Sequence, residues 1–135
     1  MKQTCFALLS MAVFFLCGCE SEKISPHVVE MSVEFTWEGL KPCGWGNPEI
    51  RIGGVPGNTK SLKISMYDHA YSHDHGTVQM HYAGERIIAR DRFKKIQGPC
   101  PVYKPGRYEI TIKAMDADGT IIAIGNSARP YPEER

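Results

Sequence analysis

The chain has 135 residues, of which 42% are hydrophobic, 10% aromatic and 23% charged, which excludes a disordered, collagen-like or coiled-coil protein. Sixteen basic and fifteen acidic residues give a net charge of +1, so nothing in the bulk charge indicates a nucleic-acid partner. Thirteen glycines and nine prolines indicate many turns, and therefore short strands in one domain rather than long helices.

The N-terminal 18 residues predict a secretory signal peptide. Residues 5–17 are nearly all apolar, but they are fewer than the roughly 20 that cross a bilayer. The run Leu16-Cys17-Gly18-Cys19 resembles a bacterial lipobox, which implies acylation of Cys19, for example by palmitate. The protein is then expected in the bacterial cell envelope, anchored to a membrane by its lipid and facing the periplasm or the exterior. Ordinary signal cleavage nearby and a buried core helix are the alternatives.

Two cysteines remain after the predicted lipid site, Cys43 and Cys100. An even number of cysteines in an oxidising compartment predicts one disulfide, which would stabilise a small domain by roughly 4 kcal/mol through chain entropy. Two free buried thiols are the alternative.

Short strands are predicted along the rest of the chain. Residues 19–27 read as a tether, followed by a domain over 28–135. Apolar and polar residues alternate from Val29 to Trp37, which is typical of a half-buried strand. Further strands are predicted at 49–52, 62–68, 77–82, 108–115 and 120–124. Strands of this length, separated by turn residues, predict an all-β antiparallel sandwich.

The segments between these strands are predicted as loops and turns. Residues 69–76 read as a histidine-rich loop, 98–106 as a rigid loop, and 85–97 as either a strand and turn or one helical piece. The Arg129-Pro-Tyr-Pro132 tail should stay out of a central strand because proline lacks an N–H. Asp116–Gly119 resembles the start of a calcium loop, but it lacks the downstream glutamate, which favours a hairpin turn. Trp37 and Trp45 are expected in the core.

No catalytic motif occurs in the sequence, which predicts a protein that is not an enzyme and needs no cofactor. Four histidines lie close together in sequence with Asp68 and Asp74, and such side chains can bind Zn²⁺ or Cu²⁺. Their spacing matches no recognised ligand pattern, so a solvated loop and a ligand pocket remain the alternatives. The candidate metal ligands are His69, His73, His75 and His81.

Several motifs together resemble the phosphatidylethanolamine-binding protein family, in its bacterial Raf-kinase-inhibitor-like branch. They are Gly54-Val-Pro-Gly-Asn-Thr-Lys-Ser-Leu62, a strand ending in Tyr67-Asp68, His75-Gly-Thr-Val78, Gly98-Pro-Cys-Pro101 and Arg107-Tyr-Glu109. The resemblance covers roughly residues 33–132. It implies an antiparallel β-sandwich with a small anion pocket at one end.

The resemblance also implies which residues form that pocket. Asp68 matches the first aspartate of the family's Asp-Pro-Asp motif and His75 the pocket histidine. Gly98 and Pro99 match the rim, and Tyr108 the tyrosine that follows His-Arg. His69 and Ala70 replace the Pro-Asp of the motif, and Gly106 stands where the family has histidine. The loops that carry Cys43 and Cys100 should border this end.

The function expected from the sequence is binding of a small anionic or phosphate-bearing ligand without turnover by an envelope lipoprotein. A divalent metal-binding protein that uses the four histidines is one alternative, and a structural or protein-interaction module is another. The basic run from Arg90 to Lys95 is expected to be a solvated face or to lie against anionic headgroups.

Overall fold

The computed structural model describes residues 21–133, and they form two β-sheets that pack face to face. The larger sheet has the order β1-β8-β7-β4-β5 and the smaller one β2-β3-β6, with every pair antiparallel except β1 and β8. The predicted all-β sandwich is therefore confirmed. The strands are β1 Ile24–Glu30, β2 Ser32–Thr36, β3 Glu49–Gly53, β4 Ser61–Asp68, β5 His73–His81, β6 Ile87–Ile88, β7 Gly106–Met115 and β8 Ile121–Tyr131.

The described part of the chain contains no helix that is long and apolar enough to cross a bilayer. The predicted signal peptide and the predicted lipid attachment at Cys19 lie outside the described residues.

Buried and more exposed side chains alternate strictly along the central strands, and the buried ones form the core. In β4 the side chains of Leu62, Ile64 and Met66 are at most 1% exposed, because they share the inner face of the sheet. They pack against the inner side chains of β7 and of the smaller sheet, and each large apolar side chain buried in this way contributes about 1.5–3 kcal/mol. These partners include Ile110, Ile112, Val33, Phe35, Trp37, Ile50 and Ile52.

The first strand differs from the prediction in its start and in its course. Ile24 already pairs with Ile121, so residues 24–27 belong to β1 and not to a tether. At Met31, whose N–H donates to the Ile124 carbonyl (2.9 Å), the chain leaves the larger sheet and continues as β2 of the smaller one. The predicted single strand from Val29 to Trp37 is thus two strands in different sheets.

An ion-pair cluster fixes the chain just before β1. The Glu22 carboxylate accepts hydrogen bonds from Lys63 of β4 (2.7 Å) and from Lys113 of β7. These two lysines lower the pKa of Glu22 from 4.5 to about 2. The lysines pair with each other across the strands. Glu22 therefore holds the N-terminal segment against the outer face of the larger sheet.

Replacing Glu22 with Gln should lower the free energy of unfolding at pH 7 by about 1 kcal/mol or less, because the pairs are partly exposed. A carboxylate with a lowered pKa stabilises the fold above its unfolded value of 4.5, and this contribution is lost as the pH falls toward 2. Urea unfolding of the Glu22→Gln protein should therefore differ from that of the parent at pH 7 and coincide with it at pH 2. The exposed Glu30→Gln is the control, and an equal effect of both variants would argue against the ion-pair explanation.

Strands β5 and β8 are longer than predicted. β5 begins at His73, inside the predicted histidine-rich loop 69–76, rather than at residue 77. β8 continues to Tyr131, which pairs with Gly106, so the proline-containing tail does join the sheet. Pro130 is tolerated there because β1 pairs with β8 only between Ile121 and Ile124, so no strand among residues 21–133 pairs with the other edge of this stretch.

The remaining predictions divide between confirmation and correction. The segment 85–97 is the short strand β6 followed by turns, and the buried Asn47 fastens it by accepting from the Phe93 N–H (2.8 Å) and donating to the Ala89 carbonyl (2.9 Å). The turn after β7 is the predicted hairpin turn. Trp37 is in the core, but Trp45 is 60% exposed, so its predicted burial is wrong.

Candidate functional site

A β-bulge aims His75 at one end of the sandwich. Met66 pairs with Gly76 and Tyr67 with Asp74, so His75 is an extra residue in β5. The bulge turns the His75 side chain inward, where it is 5% exposed. The next buried side chain, Val78, is three residues away, a spacing that would put the two on opposite faces of a regular strand. Gly76 has a φ of 118°, and a Cβ there would overlap the Lys95 carbonyl oxygen, so the bulge depends on glycine.

Asp68 ends β4 beside His75 and holds the neighbouring loops. Its Oδ1 accepts hydrogen bonds from the backbone N–H groups of Ala70 (2.8 Å) and Arg107 (3.1 Å). The side chain is 1% exposed, so these N–H groups replace the water that a carboxylate would otherwise bind. Asp68 thus links the turn after β4 to the start of β7.

Tyr108 lies beneath His75 and is fully buried. The two rings meet edge to face with centroids 5.2 Å apart, and the Tyr108 hydroxyl accepts the Cys100 N–H (3.1 Å). Burial and the nearby negative charge of Asp68 raise the pKa of Tyr108 to about 12. A Cβ at Gly106 would overlap the Tyr108 ring, which explains why glycine stands at this position.

Two loops joined by a disulfide form the rim of the site. Cys43 is bonded to Cys100, as predicted, and the bond spans a sequence separation of 57 residues. The Cys43 N–H donates to the Pro99 carbonyl (2.9 Å) and the Gly98 N–H to the Gly44 carbonyl (2.7 Å). Gly98 and Pro99 are both buried. They therefore shape the rim through their backbone groups.

A cavity of about 340 Å³ opens between these elements. Two of the five residues expected from the family resemblance, Asp68 and His75, line it. Tyr108, Gly98 and Pro99 lie beside the cavity but are not among its lining residues, and their contact with a ligand stays a prediction. The remaining lining residues are Tyr71, His73, Gln97, Cys100 and Val102.

The hydrogen bond of His75 decides what its ring can donate. Its Nδ1 lies 3.1 Å from the Gln97 carbonyl oxygen, which can only accept, so Nδ1 carries the proton of the neutral ring. Nε2 of the neutral ring is then an acceptor. Burial lowers the pKa of His75 below 6.5. At neutral pH the imidazole is uncharged. Both Nδ1 and Nε2 donate hydrogen bonds only when the ring takes up a proton.

Tyr71 is a lining residue that the sequence patterns did not indicate. Its hydroxyl accepts the backbone N–H groups of Tyr103 (2.9 Å) and Lys104 (2.8 Å), with that of Val102 at 3.3 Å. Burial opposes ionisation of Tyr71, but these N–H groups outweigh it and lower the pKa of the hydroxyl below 10.0. The hydroxyl also donates to the Lys104 carbonyl, so Tyr71 fixes the loop at 102–104 over the cavity.

The structure does not bring the four candidate metal ligands together. The rings of His73 and His75 are in contact, with centroids 4.9 Å apart. His69 lies beside Glu109 (3.3 Å), and His81 pairs with Ser61 at the other end of β4. Within residues 21–133, no three or more His, Cys, Asp or Glu side chains are placed to hold one metal ion. The four-histidine site is therefore not formed.

A larger cleft of about 800 Å³ lies between β2 and β8, away from this site. Three arginines line it and each already has a protein partner, whereas Nε2 of His75 in the histidine cavity has no hydrogen-bond partner among the described residues. We therefore regard the smaller cavity as the functional candidate. The partners in the large cleft are Glu49 for Arg51, the Glu38 carbonyl for Arg90 and the Phe35 carbonyl for Arg129.

No known family profile matches the chain. The curated proteins contain no significant sequence match either.

Solved structures, in contrast, match the fold over most of the chain. A phosphatidylethanolamine-binding protein homologue from Chlamydia trachomatis, CT736, is 18% identical, with a TM-score of 0.57 over 78% of this chain and 99% of its own. E. coli YbcL, described as a member of the mammalian PEBP family, is 20% identical, with a TM-score of 0.55 over 79% of this chain and 100% of its own. The chain therefore has the fold of the phosphatidylethanolamine-binding proteins.

Proposed function

We propose that this chain is an envelope lipoprotein, anchored at Cys19, that binds a small phosphate-bearing or other anionic ligand without turnover in the cavity beside His75. The observation that carries the proposal is the bulge in β5. It places the buried His75 side chain in the wall of a cavity that is bordered by two disulfide-linked loops. The disulfide also supports an oxidising compartment. The PEBP-like fold supports a binding protein rather than a particular ligand.

The Tyr71 hydroxyl and the Cys100 sulfur, which line the cavity, support binding without turnover. The sulfur of Cys100 is committed to the disulfide. The hydroxyl of Tyr71 is held by the backbone of the loop at 102–104. Neither group is free to attack a bound ligand.

Charge makes binding of an anion depend on proton uptake. Asp68 brings a carboxylate to the cavity wall, and neutral His75 offers a lone pair rather than a donor at Nε2. An anion is attracted only when His75 is protonated, because the imidazolium then donates from Nε2 and offsets the Asp68 charge. His73, whose ring contacts that of His75, also lines the cavity.

Sulfate binding measured by calorimetry should therefore weaken about tenfold per pH unit between pH 7 and pH 8, since one proton is taken up with the anion. Sulfate is suitable because it does not titrate in this range. His75→Gln should abolish sulfate binding and its pH dependence. Glutamine is chosen because its side chain cannot take up a proton but can still donate a hydrogen bond to the Gln97 carbonyl. His81→Gln, on the exposed face at the far end of the same strand, is the matched control and should bind like the parent.

The same proteins distinguish the alternatives. Phosphoethanolamine and inorganic phosphate should bind with one-to-one stoichiometry in native mass spectrometry, and His75→Gln should lose both. A tight zinc adduct that needs His75, without any anion adduct, would replace the proposal by metal binding. Absence of both kinds of adduct would favour a protein-interaction module.

A further inference from the structure

Strand β5 is the last strand of the larger sheet, so among residues 21–133 only one of its edges has a strand partner. The Tyr82 N–H donates to the Lys60 carbonyl (2.9 Å), in register with the ladder between β4 and β5. Because backbone groups alternate in direction along a strand, those of Val78 and Met80 also face β4. The N–H and C=O groups of the residues in between face outward, and no described residue bonds to them. These residues are Thr77, Gln79 and His81.

The other open edges carry features that hinder pairing with a further strand. β1 contains Pro26 and the free stretch of β8 contains Pro130, and proline cannot donate a backbone hydrogen bond. The Phe35 carbonyl of β2 already accepts from Arg129, and β6 has only two residues. Residues 77–81 of β5 include neither proline nor lysine. Within the described part of the chain, β5 therefore has the edge that is most open to an added strand.

A basic segment leaves β5 at one end and returns to it at the other. Residues 82–97 follow directly after His81, and the Gln97 N–H donates to the His75 carbonyl at the bulge (2.8 Å). The segment contains two acidic and five basic side chains, and the basic ones are all exposed: Arg86, Arg90, Arg92, Lys94 and Lys95. The open edge is thus bordered by net positive charge.

Part of this positive charge is not neutralised within the segment. The two carboxylates pair with Arg90, Arg92 and Lys94. Lys95 has no carboxylate partner among the described residues, and its carbonyl lies next to Gly76 of β5. A second copy of the chain would bring the same positive charge to the edge and be repelled. A lipid surface offers negative charge but no row of backbone donors and acceptors, whereas an acidic peptide offers both.

We propose that β5 binds an extended, acidic peptide segment of another protein, which pairs with residues 77–81 as a sixth strand of the larger sheet. Main-chain hydrogen bonds to the three outward-facing residues hold the peptide, and the basic segment selects for acidic side chains. None of residues 77–81 lines the anion cavity, so the proposal does not depend on the proposed function.

The test is amide hydrogen exchange of the isotope-labelled protein, followed by NMR with and without a short acetylated peptide in which glutamate and valine alternate. Without peptide, the amides of Thr77, Gln79 and His81 should exchange fast, because no described residue bonds to them. The peptide should slow their exchange at least about tenfold. The amides of Val78 and Met80, which face β4, are internal controls and should exchange slowly in both samples.

Gln79→Pro tests the backbone hydrogen bonds. The Gln79 N–H faces outward, so the substitution removes a donor from the edge but no hydrogen bond to β4. We expect the peptide no longer to protect Thr77 and His81, while slow exchange at Val78 and Met80 reports that the strand is intact. The same peptide N-methylated at all its amides should not bind the parent protein, which tests these bonds even if the proline variant does not fold.

Lys95→Glu tests the charge. This substitution should weaken peptide binding at least about threefold at low salt, since it reverses the charge next to the edge. Lys23→Glu is the matched control, because Lys23 is an exposed lysine that precedes β1, at the opposite edge of the larger sheet. Its affinity for the peptide should stay within about twofold of the parent's. A peptide with lysine in place of glutamate should bind more weakly than the acidic one.

Three results would overturn the proposal. Protection of the outward-facing amides that rises with protein concentration, without peptide, would assign the edge to a second copy. Binding to phosphatidylglycerol vesicles that needs Lys95, without any effect of the peptide, would assign the basic segment to a lipid surface. Equal binding of the acidic and the lysine peptide would show that charge does not select the partner. His75→Gln should bind the peptide like the parent, so these results leave the proposed anion site untouched.

Discussion

Replacing both Cys43 and Cys100 with serine should lower the free energy of unfolding by about 4 kcal/mol. The bond closes a loop with a sequence separation of 57 residues, and opening it returns that much chain entropy to the unfolded state. A small domain has only about 5–15 kcal/mol in total, so the variant should be close to its stability limit. Urea unfolding at pH 7 measures the change.

The reduced parent protein is the control for this prediction, because it breaks the same bond without a substitution and should unfold at the same urea concentration. The backbone hydrogen bonds between the two rim loops, from Cys43 to Pro99 and from Gly98 to Gly44, remain possible in both proteins. A loss of unfolding free energy below about 1 kcal/mol would contradict the prediction. It would mean that the unfolded chain already keeps the two loops close together, so that the cross-link removes little chain entropy.

Strands with one buried face could be predicted from the sequence because alternation is strict there. Leu62, Ile64 and Met66 of β4 show the pattern, and the structure buries all three. The pattern fails at the edge and at the bulge. β1 is an edge strand with mostly exposed side chains, so no alternation marks its start at Ile24. In β5 the bulge puts His75 and Val78 on the inner face three residues apart, which hides the strand from a search for period two.

The candidate site was predictable where a family motif or a strand pattern carries it. The motif indicates Asp68 and His75, and both line the cavity. The alternation of β7 places Tyr108 on the inner face with Ile110, where its ring packs against His75. Tyr71 lies in a turn without any periodic pattern, and its role depends on backbone N–H groups some 30 residues later in the chain. Only the folded geometry brings such groups together.

The geometry of the bulge also predicts the second large effect. Gly76→Ala should cost about 4 kcal/mol, since an alanine at a φ of 118° costs about 1–3 kcal/mol and its Cβ meets the Lys95 carbonyl oxygen, a backbone atom that cannot turn away. The strand can relieve this overlap only by reshaping the bulge. The His75 ring then leaves the Gln97 carbonyl, and phosphate binding is lost together with stability.

Gly84→Ala separates the two causes. Gly84 also has a positive φ, 97°, but a Cβ there meets nothing within 4 Å, so its substitution should cost only about 1–2 kcal/mol and leave phosphate affinity unchanged. The difference between the two variants in urea unfolding measures the contact with the Lys95 carbonyl. Equal costs at both positions, or a Gly76→Ala protein that still binds phosphate at the parent's affinity, would show that the bulge does not position His75.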